Sequence, residues 1–329
     1  MLKLQFPQDK PPKPTRKCLP RDPNSKEGWD VLEAYYLGEN ISSDLRVLYK
    51  ERVAKGRMQV FRVTLYGVVD DAVIDDGRTA ICKVAYGKRG VEALKKEADI
   101  YREKLAHLQG KWVPKIFGCY VGETVREALT CILLMEDCGQ PLPRMLYWLP
   151  PQQRAQVVHG LQQVHRAGLK HGDFQERNLV IRLLEDETYW ITIIDFGEAV
   201  EHDCPCKDWQ LEMYSLRPSP SAFTCDELWT LCTTNADFWT PESIPFRATT
   251  FPSTWAAFNP ADIVDRIGGF PADNPVKRES ALEDVSQALQ RYRIARQKRE
   301  GWDGNPVALT AKGEVVGSLV PPSLRETAS

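Results

Sequence analysis

Hydrophobic positions along the chain change period several times, and each change marks an element. Between about Val47 and Tyr86 the text is β-like, with Val60, Val63, Leu65 and Val68 in one run and Ala80, Ile81 and Val84 in the next. Such runs are the mark of half-buried strands, and Asp75-Asp76-Gly77 between them has the composition of a hairpin turn. A small sheet is expected here. Val91, Leu94, Ala98, Tyr101, Leu105 and Leu108 then recur at steps of three and four, which lays one apolar stripe along a helix that Gly110 ends. The strand-like run Cys131-Ile132-Leu133-Leu134-Met135 follows and stops at the polar turn Glu136-Asp137-Cys138-Gly139.

The second half is predominantly helical. Pro151 suits the first turn of a helix whose Val157, Val158, Leu161 and Val164 share a face, and Gly168 suits its C-terminal cap. Two short strands, Leu179 to Leu184 and Trp190 to Ile194, are joined by Glu185-Asp186-Glu187. Further on, Cys225 to Asp237 reads as a helix. Ser280 to Arg299, with Leu282, Val285, Leu289, Tyr292 and Ala295, reads as a clearer amphipathic one. No internal repeat is present.

Composition bounds the function. With 43 basic and 45 acidic side chains in 329 residues the formal net charge is −2, so no global field draws the chain to nucleic acid or an anionic membrane. Nine cysteines without a regular paired framework read as reduced thiols. The N-terminus carries Lys3, Lys10, Lys13, Arg16 and Lys17 among prolines and lacks the apolar core of a secretory signal. No run approaches the ~18 apolar residues of a membrane-spanning helix. An intracellular protein, cytoplasmic or nuclear, is expected.

The chemistry gathers in two loops. His171-Gly172-Asp173-Phe174-Gln175-Glu176-Arg177-Asn178 lies after a capped helix and before a strand. Asp195-Phe196-Gly197 ends the apolar run Ile191-Thr192-Ile193-Ile194, so that a second carboxylate comes from the tip of a strand hairpin. Phosphoryl transfer asks little covalent chemistry of a protein, but it needs a carboxylate on the incoming hydroxyl and metal against the phosphate oxygens. Asp173 fits the first task. Asp195 with the amide oxygen of Asn178 offers the hard oxygen ligands that Mg²⁺ prefers.

These residues resemble the protein kinase superfamily, whose signatures are a catalytic-loop Asp, an Asn five positions later, and Asp-Phe-Gly. The resemblance spans roughly Leu48 to Ala199, with its elements in the family's order. It implies a bilobal α+β protein-kinase-like fold, with a small β-rich N-lobe over residues 29–135 and a mostly helical, reduced C-lobe over 136–300. A flexible Pro-rich tail (1–28) and a C-terminal tail (301–329) flank them. It implies ATP and Mg²⁺ as cofactors. Ala80-Ile81-Cys82-Lys83 looks like the family's third-strand element, placing Lys83 at the α and β phosphates, with Glu97 as its helix partner. Leu133 to Gly139 looks like the hinge, with Met135 as gatekeeper and the backbones of Glu136 and Cys138 facing adenine. Val53 to Phe61 occupies the place of the glycine-rich loop and keeps only Gly56 of three glycines.

Other departures concern the acceptor. Gly172 stands where typical protein kinases carry Arg, and His-Gly-Asp is similar instead to RIO-type kinases, fungal kinase-like proteins, and the aminoglycoside and choline phosphotransferases. Gln175 replaces the catalytic-loop Lys, and Arg177, two residues later, is a candidate for positive charge at the transferring phosphate. Thr240-Pro241-Glu242 is the nearest likeness to the family's Ala-Pro-Glu. The implied activity is phosphorylation of protein Ser/Thr hydroxyls. The alternatives are a kinase acting on a small alcohol or amino sugar, and a pseudokinase scaffold that binds nucleotide weakly.

Blander readings stand beside these. Taken singly, Lys83 is a snorkelling strand lysine, Glu97 a solvated helix charge, and Asp195 a turn former. His202, Cys204 and Cys206 have the ligand types for Zn²⁺ but tight spacing and no second half. Arg291, Arg293, Arg296, Lys298 and Arg299 form a basic helix end that suits an acidic partner or a solvated face. His171 is read as structural, holding the catalytic loop through its ring nitrogens.

Overall fold

The computed structural model describes residues 2–5, 30–38, 44–55, 58–69, 72–73, 77–124, 128–184, 188–300, 308–309 and 315–316. It is a mixed α+β chain whose N-terminal region is a curled, largely antiparallel sheet. The strands are β1 (Leu2–Gln5), β2 (Asp30–Leu37), β3 (Leu45–Lys55), β4 (Gln59–Val69), β5 (Ala72–Val73) and β6 (Arg78–Tyr86); after helix α1 (Gly87–Glu103) come β7 (Ile116–Thr124) and β8 (Ala128–Glu136). Their order is β3-β1-β2-β7-β8-β6-β4-β5. Because β3 also pairs with β4, every strand but β5 belongs to a closed ring.

Alternation builds the interior of that ring. On β4, Phe61, Val63 and Leu65 point inward, and on β6 Ala80, Cys82 and Val84 do the same, joining Leu32, Val47, Ile132 and Leu134 in one buried cluster. At period two, Lys83 and Ala85 must face the other way, onto the side that α1 covers with Val91, Leu94, Ala98 and Tyr101. This explains why β6 is buried over four consecutive residues rather than at alternate positions. The apolar stripe foreseen for α1 holds for Val91, Leu94, Ala98 and Tyr101, with Glu97 buried beside them, but the helix ends at Glu103 rather than at Gly110, and Leu105 and Leu108 lie beyond it, Leu108 in a short 3₁₀ turn (Ala106–Leu108).

Two compact units divide the chain. Residues 1–143 and 160–204 form the first; residues 144–159 and 205–329 form the second. This division differs from a single boundary after residue 135, because the loops and strands that follow the Met135 segment cluster with the sheet. Leu2–Gln5, inside the stretch expected to be a tail, pairs with β2 and in parallel with β3. Residues 6–28 of that tail, Gly56 and the turn residues Asp75 and Asp76 lie outside the described residues.

The rest of the first unit positions the loops. After β9 (Gln140–Pro141) comes helix α2 (Pro151–Arg166); it buries Val157, Val158, Leu161 and Val164, and its residues from Gly160 on, with Leu161 and Val164, belong to this unit. Gly168, at φ +80°, closes α2 as its cap. Then come β10 (Leu169–Lys170), β11 (Leu179–Leu183), β12 (Tyr189–Ile193) and β13 (Val200–Glu201). β11 pairs antiparallel with β12 and β9, and β10 with β13.

The second unit has its own core. Helix α3 (Asp226–Thr230) continues as one π-helical stretch to Asn235, within the segment expected to be helical. The hairpin β14 (Ser243–Phe246) and β15 (Thr249–Pro252) and helices α4 (Pro260–Ile267) and α5 (Pro275–Glu300) bury Ile244, Phe251, Ile263, Val264, Val285 and Leu289 together. Asn259 caps α4, its Oδ1 accepting from the Asp262 N–H at 2.9 Å, with Pro260 at the first position. The pair β16 (Ala308–Leu309) and β17 (Val315–Val316) falls within the stretch expected to be a C-terminal tail. No helix among the described residues is long and apolar enough to cross a membrane.

Candidate functional site

Three charged groups that the sequence scatters over more than a hundred residues meet in the first unit. Lys83, on the α1 side of β6, puts its Nζ 2.7 Å from Oε2 of Glu97 and 2.6 Å from Oδ1 of Asp195. Glu97 is fully enclosed, while the Asp195 side chain is about half open, at 48% exposure. Burial opposes the Lys83 ammonium, but the two carboxylates outweigh it and its pKa is raised. Burial dominates at Glu97 and raises its pKa although Lys83 pulls it down. At Asp195 burial is overcome by Lys83, and the carboxyl is held below its usual range. An isolated buried charge is costly, so each member of this triad makes the others tenable.

Backbone geometry brings Asp195 there. It follows β12 and adopts φ +68°, a left-handed conformation rare outside glycine. Phe196 behind it is fully buried, edge-on to Tyr101 at 5.3 Å and against His171 at 4.8 Å. The next residues return as β13, so the Asp195 turn is anchored at both ends.

Asp173 belongs to a second cluster on the preceding loop. One guanidinium nitrogen of Arg177 reaches both Asp173 carboxylate oxygens, at 2.7 and 2.8 Å, and its other terminal nitrogen donates to Gln175. Asn178 Nδ2 donates to the Asp173 carbonyl at 2.8 Å and lies 3.3 Å from Asp173 Oδ2. Arg177, expected at a phosphate, is here the partner of Asp173; because the Arg177 side chain is mostly exposed and solvent screens the pair, it is worth no more than about 1 kcal/mol.

The two clusters hang from one piece of backbone. The Ile194 N–H donates to the Asn178 carbonyl at 2.9 Å. His171 Nε2 donates to the Ile194 carbonyl at 3.0 Å; the carbonyl can only accept, so that nitrogen carries the proton. His171 thus ties one loop to the other. Gly172 has φ +79°, and a Cβ there would sit 2.3 Å from the Glu198 carbonyl oxygen. This is the physical reason for glycine at a place where the related pattern has Arg: neither the backbone angle nor the space admits a side chain.

The expected hinge, Leu133 to Gly139, spans the end of β8 and the turn after it. Met135 is buried and lies opposite Ile81 and Ile116. The Glu136 N–H donates to the Lys115 carbonyl at 2.8 Å. Cys138 is buried, and burial pushes its thiol up to about 12. Two arginines missed by motif reading fasten this turn. Arg62 of β4 donates to Asp137 at 2.6 Å and to the Gly139 carbonyl, and pairs with Glu51; Arg182 of β11 holds Glu136 at 2.7 Å. The alternation of β4 puts Arg62 on the face away from the core, but no spacing rule links it to residue 137.

Remaining expectations divide. Thr240 Oγ1 donates to the Tyr214 carbonyl at 2.9 Å, a tie within the second unit. Arg291 and Arg293 are exposed on α5, and the side chains of Arg296, Lys298 and Arg299 lie outside the described residues. No family model and no curated protein matches the chain.

Proposed function

We propose that the chain is an ATP- and Mg²⁺-dependent phosphotransferase with a bilobal protein-kinase-like fold, acting on protein Ser/Thr hydroxyls. The observation that carries this reading is Lys83 held between Glu97 and Asp195, in a unit where the Asp195 turn is hydrogen-bonded to the loop of Asp173 and Asn178. A lysine fixed by two carboxylates is oriented to meet anionic phosphate, and the buried Glu97 keeps it extended. Asp195 and Asn178 supply only oxygen donors, which suits magnesium, and they are the residues that would hold it. The bound ion supplies neutralisation of phosphate charge. Asp173 orients the acceptor hydroxyl and takes up its proton as the acceptor oxygen bonds to the γ-phosphorus and the bond from that phosphorus to the bridging oxygen of ADP breaks, ADP leaving with the electron pair. Arg177 then exchanges Asp173 for the transferring phosphate. The carbonyl of Glu136 and the backbone of Cys138 face the adenine.

Transfer of labelled γ-phosphate to the chain itself or to a generic protein substrate tests the proposal. Asp173→Asn is expected to cost about 10²–10⁴-fold in rate while leaving Mg-ATP-induced thermal stabilisation in place. Equal transfer by the variant would overturn the catalytic role. Gly172 favours a second acceptor class, a small alcohol or amino sugar, because the His-Gly-Asp pattern it creates is shared with such kinases. ATP consumption driven by a metabolite panel and not by protein would select that class.

A further inference from the structure

His165, His202 and Cys204, none of them used in the site above, come together in the first unit. His165 sits on the last turn of α2 and is fully buried, and Cys204 is buried too, at 2% exposure. The two imidazole rings stand perpendicular, with centroids 5.3 Å apart. A ring nitrogen from each and the Cys204 sulfur all lie within 4.8 Å of one another. The group reading from sequence, His202, Cys204 and Cys206, is thereby revised: His165, far away in the chain, takes the place given to Cys206.

The path of the backbone explains the meeting. α2 is closed by Gly168, whose carbonyl accepts from the His202 N–H at 2.9 Å. Between them β10 and β13 pair, Leu169 with Glu201 and Lys170 with Val200. Residues just before β10 and just after β13 must therefore lie side by side. β10 leads directly into the Asp173 loop, and β13 is the exit of the Asp195 turn.

We infer that His165, His202 and Cys204 are ligands of a Zn²⁺ ion that clips the two loop-bearing segments together at their bases. The donor set decides the metal. Two imidazoles and a thiolate are borderline-soft ligands that suit Zn²⁺ and poorly suit Mg²⁺ or Ca²⁺, and no carboxylate belongs to the trio. Ligand atoms of a tetrahedral zinc, bonded at about 2.0–2.3 Å, lie roughly 3.3–3.8 Å apart, so small side-chain rotations close the cage. On binding, the Cys204 thiol loses its proton to solvent and each histidine binds through a neutral nitrogen. A fourth ligand, water or another side chain, completes the tetrahedron. The clip is independent of whether the chain transfers phosphate.

The test is direct metal binding by the full chain. Chelator-treated protein is titrated with Zn²⁺ against a chromophoric competitor, expecting one saturable equivalent and a rise in Tm. His202→Asn and Cys204→Ser should each weaken binding by more than about 100-fold, since even outer hydrogen-bond partners of a ligand cost about 10–100-fold. His107→Asn, on an exposed residue, should leave it unchanged. Cobalt substitution of the wild-type chain keeps the proposal testable where a variant fails to fold. A tetrahedral spectrum with a thiolate-to-cobalt band is expected, and the band should weaken in Cys204→Ser. No saturable binding, a spectrum without thiolate, or unchanged affinity in both ligand variants would overturn it.

Discussion

At the scale of single residues the molecule is governed by what burial does to charge. Glu97 is fully enclosed and keeps its place because Lys83 lies at 2.7 Å. Glu97→Gln should therefore destabilise the fold by about 3–5 kcal/mol, through the lysine left with half its compensation, and the shift of the denaturant midpoint measures it. Asp195 gives the pH dependence. Its folded pKa lies below the unfolded value of about 3.9, so its contribution is fully present above that value and is lost as pH falls through the lower folded pKa. Glu97, with its pKa raised by burial, works in the opposite sense: its contribution is present below about pH 4.3 and weakens as pH rises. Comparing stability of wild type and Asp195→Asn between about pH 5 and 2 should show a flatter acid limb in the variant. Gly172→Ala is expected to cost more than about 1 kcal/mol, because φ is positive and the Glu198 carbonyl blocks the Cβ. Activity should fall with it, as the displaced loop carries Asp173.

Elements were legible where one period ran long enough. α2, β8, β11 and β12 lie close to the positions that periodicity gave, α1 ends at Glu103, short of the stop expected at Gly110, and α5 begins five residues ahead of its expected start, at Pro275. Their geometry also sets a prediction: Leu94, fully buried on α1, should cost about 2–5 kcal/mol as Leu94→Ala. Because α1 carries Glu97, the same change should also weaken Mg-ATP stabilisation if nucleotide binds at Lys83. Less legible were β2 and β7, whose strand character depends on neighbours distant in sequence that local composition does not report; α4, by contrast, carries a local start signal in Asn259 and Pro260. In β2 most side chains stay exposed, so little apolar alternation is there to read.

At the scale of the molecule, closure of the N-terminal sheet is the feature with the largest consequence. β1 bonds to β2 on one side and β3 on the other. Deleting residues 1–5 leaves two open strand edges, and the expected outcome is a lower Tm and concentration-dependent aggregation, read by differential scanning and light scattering. The second unit, with its own buried cluster around Phe251 and Val285, has no part in that closure.

The sequence by itself determined the mixed α+β class, the helices and strands of strong period, and the candidate residues 83, 97, 173, 178 and 195, because residue type and order along the chain carry that information. Which of them touch was decided by the tertiary structure. Lys83 meets both carboxylates only because β6 turns its odd positions toward α1 and because β12 ends in a left-handed turn at Asp195. Likewise His165 reaches His202 and Cys204 only because β10 and β13 pair, and Gly172 is required because its φ is positive and the Glu198 carbonyl occupies the space beside it. These are contacts between segments far apart in sequence, set by how the chain closes on itself, and no local pattern encodes them.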